Sequence, residues 1–335
     1  MINVSLIGFG NVGRELLLRL IEVRKELDVN ITSISSSRGS VIVAGPGDLA
    51  YAVKLAQKGR RLHEHESFRE GMDPVEASVV GDADLAMITM PPSYSSGEPN
   101  RSIYYGLVEE GISIITADKT VLALEGRRFL ENADKVGVYV GYRATVAAGT
   151  PAIDVALGLR LRGVESIRAV LNASTNYILG FVEKGLSFEE AIRESIKAKL
   201  AEPDPRIDTH GWDPAAKLVI LSNTLGADVN LGLIERTPVD SIGEDIVRNS
   251  LREGKRVKYI AYADFKEGVY RVRSEVIPRD DPLAIAEGEE NVIVFTLEGT
   301  EIVLKGPAGP AWRTAKVMVT DILDYIRWRN LLESH

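Results

Sequence analysis

The chain has 335 residues, enough for two domains, and its 45% hydrophobic content is sufficient to build buried cores. A net charge of −8 argues against nucleic acid or an anionic membrane as the main partner, because both recruit a basic face. The absence of cysteine removes disulfides, thiol nucleophiles and Cys-ligated metal centres; with no signal-peptide pattern and no apolar run near the ~20 residues that cross a bilayer, the expected location is the cytoplasm.

Ile2–Ile7 reads as a short apolar strand that enters a glycine turn, and residues 14–27 follow with helical periodicity. VNITSIS (29–35) is a second strand, and a less regular region with Gly/Pro punctuation at 45–47 precedes a helix from about Asp48 to Lys58. ADLAMITM (83–90) reads as a buried strand stopped by Pro91-Pro92. A helix over 101–110, a strand at ISIITA, a helix over 120–136 and a strand at VGVYVGY complete an alternation that predicts a parallel sheet covered on both faces.

After Tyr142 the pattern changes. GTPAIDVALGLRL reads as a helix with Pro151 in its first turn, ESIRAVLNAS as a strand, and Ser187 with Glu190 as a capping box opening a helix to about Leu200. A helix follows from Asp213 to about Leu225. RVKYIAYADF, GVYRVRSEVI, NVIVFTLEG and TEIVLKG suit an antiparallel meander, and the last segment is helical. The expected organisation is therefore α/β: a Rossmann-type nucleotide-binding domain over 1–140, then an α+β domain over 141–305 with a mainly antiparallel sheet, and a C-terminal helix within 306–335 that returns to the first domain.

Gly8-Phe9-Gly10-Asn11-Val12-Gly13 follows the first strand and opens the first helix, the context that makes a GxGxxG a dinucleotide site. The first glycine permits the turn, the second lets a pyrophosphate approach, the third lets helix and strand pack, and the N–H groups at Asn11 and Val12 begin an anion-binding helix end. The second strand ends in Ser35-Ser36-Ser37-Arg38-Gly39, with no acid to accept from ribose hydroxyls. Arg38 is suited to a 2′-phosphate, and Lys54 or Lys58 to a second contact, so NADP is expected, with NAD the alternative. Of the histidines, His63 and His65 flank Glu64 and are expected at the surface, whereas His210 lies within an acidic stretch.

That stretch, AEPDPRIDTHGWDPAAK (201–217), carries Glu202, Asp204, Asp208 and Asp213 ahead of Lys217. Asp213 and Lys217 are four apart at a helix start and so share a face. Together with GFGNVG (8–13), SSSRGS (35–40), SSGEP (95–99), TADKT (116–120), GYRATVAAGTPAID (141–154), LNASTNYIL (171–179) and GPAGPAWRTAKVMVTDI (306–322), it resembles the homoserine dehydrogenase family, in the family's order and over nearly the whole chain. The resemblance implies reversible, NAD(P)-dependent hydride transfer between L-homoserine and L-aspartate 4-semialdehyde by a homodimer whose antiparallel sheet supplies the dimer surface.

It further implies Lys217 as proton donor, Glu202 as a homoserine contact, and Asp208 and Asp213 as substrate-side acids. Lys119, at the carboxyl end of a strand in the nucleotide domain, is a further candidate for substrate, nicotinamide or proton contact. Ala173 and Thr175 would line the pocket floor with Asn176 and Tyr177 behind, and Gly309 would touch the nicotinamide side, since Pro307 and Pro310 lack N–H donors. The loop 141–151 resembles one that holds a structural monovalent cation, often sodium, through the carbonyls of Arg143, Val146, Ala148 and Thr150. It departs from the family in having Arg143 where Glu is usual and Ala147-Ala148 in place of glycines; a guanidinium disfavours a neighbouring cation unless it points away.

Two other readings remain: a different amino-acid dehydrogenase of the same architecture, and a non-catalytic NADP-binding sensor. Aspartate-semialdehyde dehydrogenase is excluded because it needs a catalytic cysteine. The chain resembles the short form of the family, with no aspartate kinase domain before it and no regulatory domain after it, so feedback inhibition through an added domain is not expected.

Overall fold

Alternation of apolar strands and amphipathic helices dominates the first half, as its periodicity requires. The computed structural model describes residues 1–198, 200–201 and 204–333. The first half contains β1 (Ile2–Ile7), α1 (Asn11–Val23), β2 (Val29–Ser36), β3 (Gly39–Ile42), α2 (Pro46–Gln57), β4 (Phe68–Glu70), α3 (Pro74–Val80), β5 (Leu85–Ile88), α4 (Asn100–Glu109), β6 (Ser113–Thr116), α5 (Thr120–Val136) and β7 (Val140–Gly141). The second contains α6 (Ala152–Leu159), β8 (Val164–Val170), α7 (Ala173–Glu183), α8 (Phe188–Lys197), α9 (Arg206–Thr209), α10 (Trp212–Thr224), β9 (Glu235–Arg236), α11 (Glu244–Arg252), β10 (Lys255–Asp264), β11 (Val269–Pro278), β12 (Glu290–Leu297) and β13 (Thr300–Pro307), before α12 (Ala311–Glu333).

The chain divides into two compact units, 1–145 with 309–335, and 146–308. In the first, a seven-stranded sheet runs β4-β3-β2-β1-β5-β6-β7. β2, β1, β5, β6 and β7 are parallel, and β3 and β4 add antiparallel strands at one edge. β5 is buried along its whole length, the pattern of a strand covered on both faces. Leu16, Leu17 and Leu20 of α1 are fully buried and share a core with Ala315, Met318, Ile322 and Tyr325 of α12. At about 1.5–3 kcal/mol for each large apolar side chain, this packing holds α12 in the unit. Arg143 adds an ion pair to the buried Asp321 (2.5 Å) and one to Asp324 (2.5 Å).

The second unit holds a six-stranded sheet in the order β13-β12-β8-β10-β11-β9. Four of its five pairings are antiparallel and only β11 with β9 is parallel; the expected meander of four consecutive strands is instead two hairpins, β10–β11 and β12–β13, with β8 paired between β10 and β12. The strand expected through residue 174 ends at Val170. Asn172 stops it by accepting the Thr175 N–H (3.0 Å), which caps α7 and moves Ala173 and Thr175 into a helical first turn. Other elements escaped the sequence pattern because they are short: β3, β4 and α3 lie in the irregular region before residue 82, and β9 and α11 lie between 226 and 254.

Candidate active site

β1 and β5 are neighbours in the sheet, yet α1 leads from β1 to the opposite side. This is the switch point where open α/β sheets bind ligands. Gly8 adopts φ +107°, and a Cβ on Gly13 would lie 1.9 Å from the Gly8 carbonyl oxygen. A Cβ on Gly10 would meet nothing within 4 Å, which leaves room beside the backbone. No side chain caps α1, so its leading N–H groups are left for a bound anion. Thr89, just past β5, donates its N–H to the Ile7 carbonyl (2.8 Å) and its hydroxyl to that of Gly8 (3.0 Å), bracing the turn. These groups fit a dinucleotide pyrophosphate.

The same turn borders a cavity of about 960 Å³ that is lined also by Ser37, Arg38, Arg61 and His63. Ser36 pairs with Gly39 across β2 and β3, so Ser37 and Arg38 form a two-residue hairpin tip rather than an open loop. Lys54 is exposed on α2 and, like Lys58, is not among the lining residues; Arg61 and His63 occupy the cavity wall instead. An acid absent from the end of β2 arrives from β4: Glu70 Oε1 is 2.8 Å from an Arg38 nitrogen. Asn11, at the start of α1, accepts from Arg14 (2.8 Å), and Val12 follows it in the first turn.

Lys119 stands at the junction of β6 and α5, as the residue before the helix, and is half-buried. Its neighbour Asp118 is buried and accepts from Thr120 N–H (3.0 Å), the Thr120 hydroxyl (2.7 Å) and Asn100 Nδ2 (2.9 Å). Burial pushes the Asp118 carboxyl up despite these donors. Asn100 also donates to the Pro91 carbonyl (3.0 Å), which ties the ends of β5 and β6 together and sets the backbone that carries Lys119.

In the second unit, Asp208 of α9 and Asp213 and Lys217 of α10 come together. Lys217 Nζ lies 2.6 Å from Asp213 Oδ2 and donates to the Leu171 carbonyl at 2.7 Å. The two side chains are only 16% and 13% exposed. Among the described residues these are the acceptors for an ammonium that carries three donors, so one donor remains for a substrate oxygen. Asn172 Nδ2 donates to Asp208 (2.7 Å) and lies 3.1 Å from Asp213, while the Ser174 hydroxyl is 2.7 Å from Asp208 Oδ2. Burial, followed by the Asp213 charge beside it, raises the Asp208 carboxyl above its ordinary value. The cluster is thus acidic, partly desolvated and held by an amide that bridges both carboxylates. It suits a ligand carrying both an ammonium and a hydroxyl or carbonyl group.

The homoserine dehydrogenase family model matches residues 151–323. A homoserine dehydrogenase from Sulfurisphaera tokodaii is 34% identical, over 91% of this chain and 92% of the relative. One from Methanocaldococcus jannaschii is 29% identical, over 96% and 97%. The structure of a hyperthermophilic archaeal homoserine dehydrogenase mutant in complex with NADPH superposes with a TM-score of 0.82 at 27% identity and covers 96% of each chain.

The chain belongs to the homoserine dehydrogenase family. It is an oxidoreductase that uses a nicotinamide cofactor and a small-molecule substrate.

Against that family's pattern, several residues take places the sequence did not indicate. Glu202 lies outside the described residues. Asp204 is not part of the acid cluster: it is exposed and committed to Arg206 at 2.8 and 2.5 Å, which lowers its carboxyl to about 2. The Arg143 guanidinium is taken up by Asp321 and Asp324. In the second unit, which contains Val146, Ala148 and Thr150, the Thr150 carbonyl already accepts from the Ala152 N–H (2.7 Å). Among the described residues no group of three or more His, Asp or Glu side chains is placed to hold a metal. The Gly309 carbonyl accepts from the Thr314 hydroxyl (3.0 Å) at the start of α12. His63 lines the cavity, and His65 is buried, not a surface residue: one ring nitrogen accepts from the Ser67 N–H (3.1 Å) and the other meets the Asp48 carbonyl (2.9 Å). Asn172, Ser174, Asn100 and Asp118 carry no functional signal of their own in the sequence pattern. The only signal for Asn172 was its place between an apolar strand and a small-residue helix start.

Proposed function

We propose that the chain interconverts L-homoserine and L-aspartate 4-semialdehyde, with NADP as the preferred cofactor. The observation that carries the reading is the Asp213–Lys217 pair beside Asp208, which offers a proton-transfer lysine and carboxylates for a substrate ammonium within one desolvated cluster.

The bound cofactor supplies the carbon that takes up or returns the hydride. In the reducing direction, Lys217 gives a proton to the substrate oxygen as it gains charge; in the oxidising direction it takes the hydroxyl proton. Asp213 holds the lysine in place, and the Leu171 carbonyl fixes its second donor. Asp208 and Asp213 receive the substrate ammonium, Ala173 and Thr175 line the site from the first turn of α7, and Glu202 is retained as a further contact. Gly8, Gly10, Asn11, Val12 and Gly13 would hold the pyrophosphate, and Arg38 with Arg61 would meet the 2′-phosphate. Lys119, next to the Asp118–Asn100 network, and Gly309 remain the further candidates for contact with the nicotinamide or the substrate. For a monovalent cation at 143–150, the retraction of Arg143 by two carboxylates is favourable, whereas the engaged Thr150 carbonyl is not; no step depends on it.

A homodimer is the assembly that the family resemblance implies, and the exposed Ile302 and Val303 on the edge strand β13 are apolar groups it would cover. Among the described residues no helix is long and apolar enough to cross a membrane, and the lack of cysteine favours the cytoplasm. The test is a pair of initial-rate assays following the reduced cofactor, with L-homoserine offered with NADP and then NAD, and L-aspartate as control. Homoserine oxidation favoured by NADP is expected. Cofactor binding without turnover of homoserine would move the reading to a sensor or to another substrate.

A further inference from the structure

The end of β2 lacks the acid that accepts ribose hydroxyls in NAD sites, and Arg38 stands there alone in the sequence. The fold changes that. β4 runs antiparallel to β3 with Glu70 directly opposite Gly39. The two strands approach so closely that a Cβ on Gly39 would lie 2.2 Å from the Arg69 carbonyl oxygen. The Gly71 N–H donates to the Arg38 carbonyl (2.8 Å), and the Glu70 carboxylate pairs with the Arg38 guanidinium at 2.8 Å. The strand therefore holds Arg38 by both backbone and side chain, at the wall of the cavity that begins at the glycine turn.

We infer that Glu70 sets how strongly this site discriminates NADP from NAD, by competing with the 2′-phosphate for Arg38. The inference rests on the proposed assignment of Arg38 to that phosphate. With NAD bound, the Arg38–Glu70 pair stays intact, since no phosphate calls on the guanidinium. With NADP bound, Arg38 must turn from a carboxylate to a phosphate, and the carboxylate left behind lies beside a group of like charge. Arg38 recognises the phosphate and Glu70 restrains that recognition. Glu70 is 71% exposed, so replacing it removes the charge without emptying a core position.

The test is calorimetric titration of NADP+ and NAD+ into the parent protein, Glu70→Gln, Arg38→Ala and the double variant. Glu70→Gln is expected to tighten NADP+ by about fivefold to tenfold, from the loss of an exposed like charge and of a competing ion pair, while NAD+ stays within about twofold. Arg38→Ala should weaken NADP+ alone, and in its background most of the Glu70→Gln effect should vanish. If Arg38→Ala collapses the preference but Glu70→Gln leaves both affinities unchanged or shifts them equally, the role of Glu70 is overturned and the Arg38 assignment stands. If Arg38→Ala leaves the NADP+/NAD+ ratio unchanged, both are overturned.

Discussion

Lys217 Nζ sits 2.6 Å from Asp213 Oδ2, one helical turn away on α10, with both side chains largely out of solvent. The acid precedes the lysine, the favourable order at this spacing, and Asp213 also lies in the first turn, where the helix dipole favours a carboxylate. The pair is consequently stable as an ion pair and still near the helix start, where α9 delivers Asp208.

Replacing Lys217 by Ala is expected to lower kcat by about 10²–10⁴-fold, the usual contribution of a positioned acid–base group. Cofactor affinity should be unchanged, because the glycine turn lies in the other unit. Steady-state rates and cofactor titration on the same preparation check this. A near-normal kcat would transfer the proton role to Lys119 or to a water.

Asn172 makes a different kind of contribution, since its side chain caps α7 and bridges two carboxylates. Asn172→Ala should lower stability by about 1–2 kcal/mol through the lost cap. It should also raise KM for homoserine as Asp208 and Asp213 lose their shared donor. Denaturant melts and a KM–kcat comparison separate the two effects. Loss of stability with unaltered KM would reduce Asn172 to a helix cap.

A Gly13→Ala variant cannot keep α1 at its present distance from β1, because the new methyl would meet the Gly8 carbonyl at 1.9 Å. The expected cost is about 1–3 kcal/mol of stability. Dinucleotide affinity should fall as well, because the helix end that meets the pyrophosphate moves. Wild-type affinity in this variant would count against the turn as the pyrophosphate site.

Burial raises the Asp321 carboxyl to about 6, even with Arg143 paired to it. In the unfolded chain an aspartate titrates near ~3.9. Between those values the native state holds a proton that the unfolded state has lost, so this group's contribution to stability is complete below about pH 4 and declines as pH rises through about 6. Thermal melts of the parent and Asp321→Asn from pH 4 to 7 should show a shallower decline in the variant, whatever its absolute Tm. Parallel curves would show that Asp321 does not titrate in this window.

Long, periodic elements were legible in the sequence. α1, α5, α10 and the four strands from β10 to β13 bury a repeating face, and such a face imprints a period on the chain. Short pieces were not: β3, β4 and β9 span only a few residues each, too few for a period to register, and their place is set by partners distant in sequence. For the same reason the hairpin at Ser37–Arg38 left no mark in the sequence pattern, nor did the pairing of Arg38 with Glu70, 32 residues beyond it.

By itself the sequence determined the strand–glycine turn–helix unit, the change from parallel to antiparallel patterning near residue 140, and the shared helix face of Asp213 and Lys217. These are local matters, decided by turn geometry and by the 3.6-residue period. Only the tertiary structure decided that Asn172 joins the two aspartates, that Asp204 turns to Arg206 instead, that Arg143 is drawn to Asp321 and Asp324, and that Arg61 and His63 rather than Lys54 line the cavity. Each of these depends on where a side chain finds a partner once solvent is excluded. A polar group must satisfy its donors and charges from whatever the fold brings near, and that choice leaves no period in the chain.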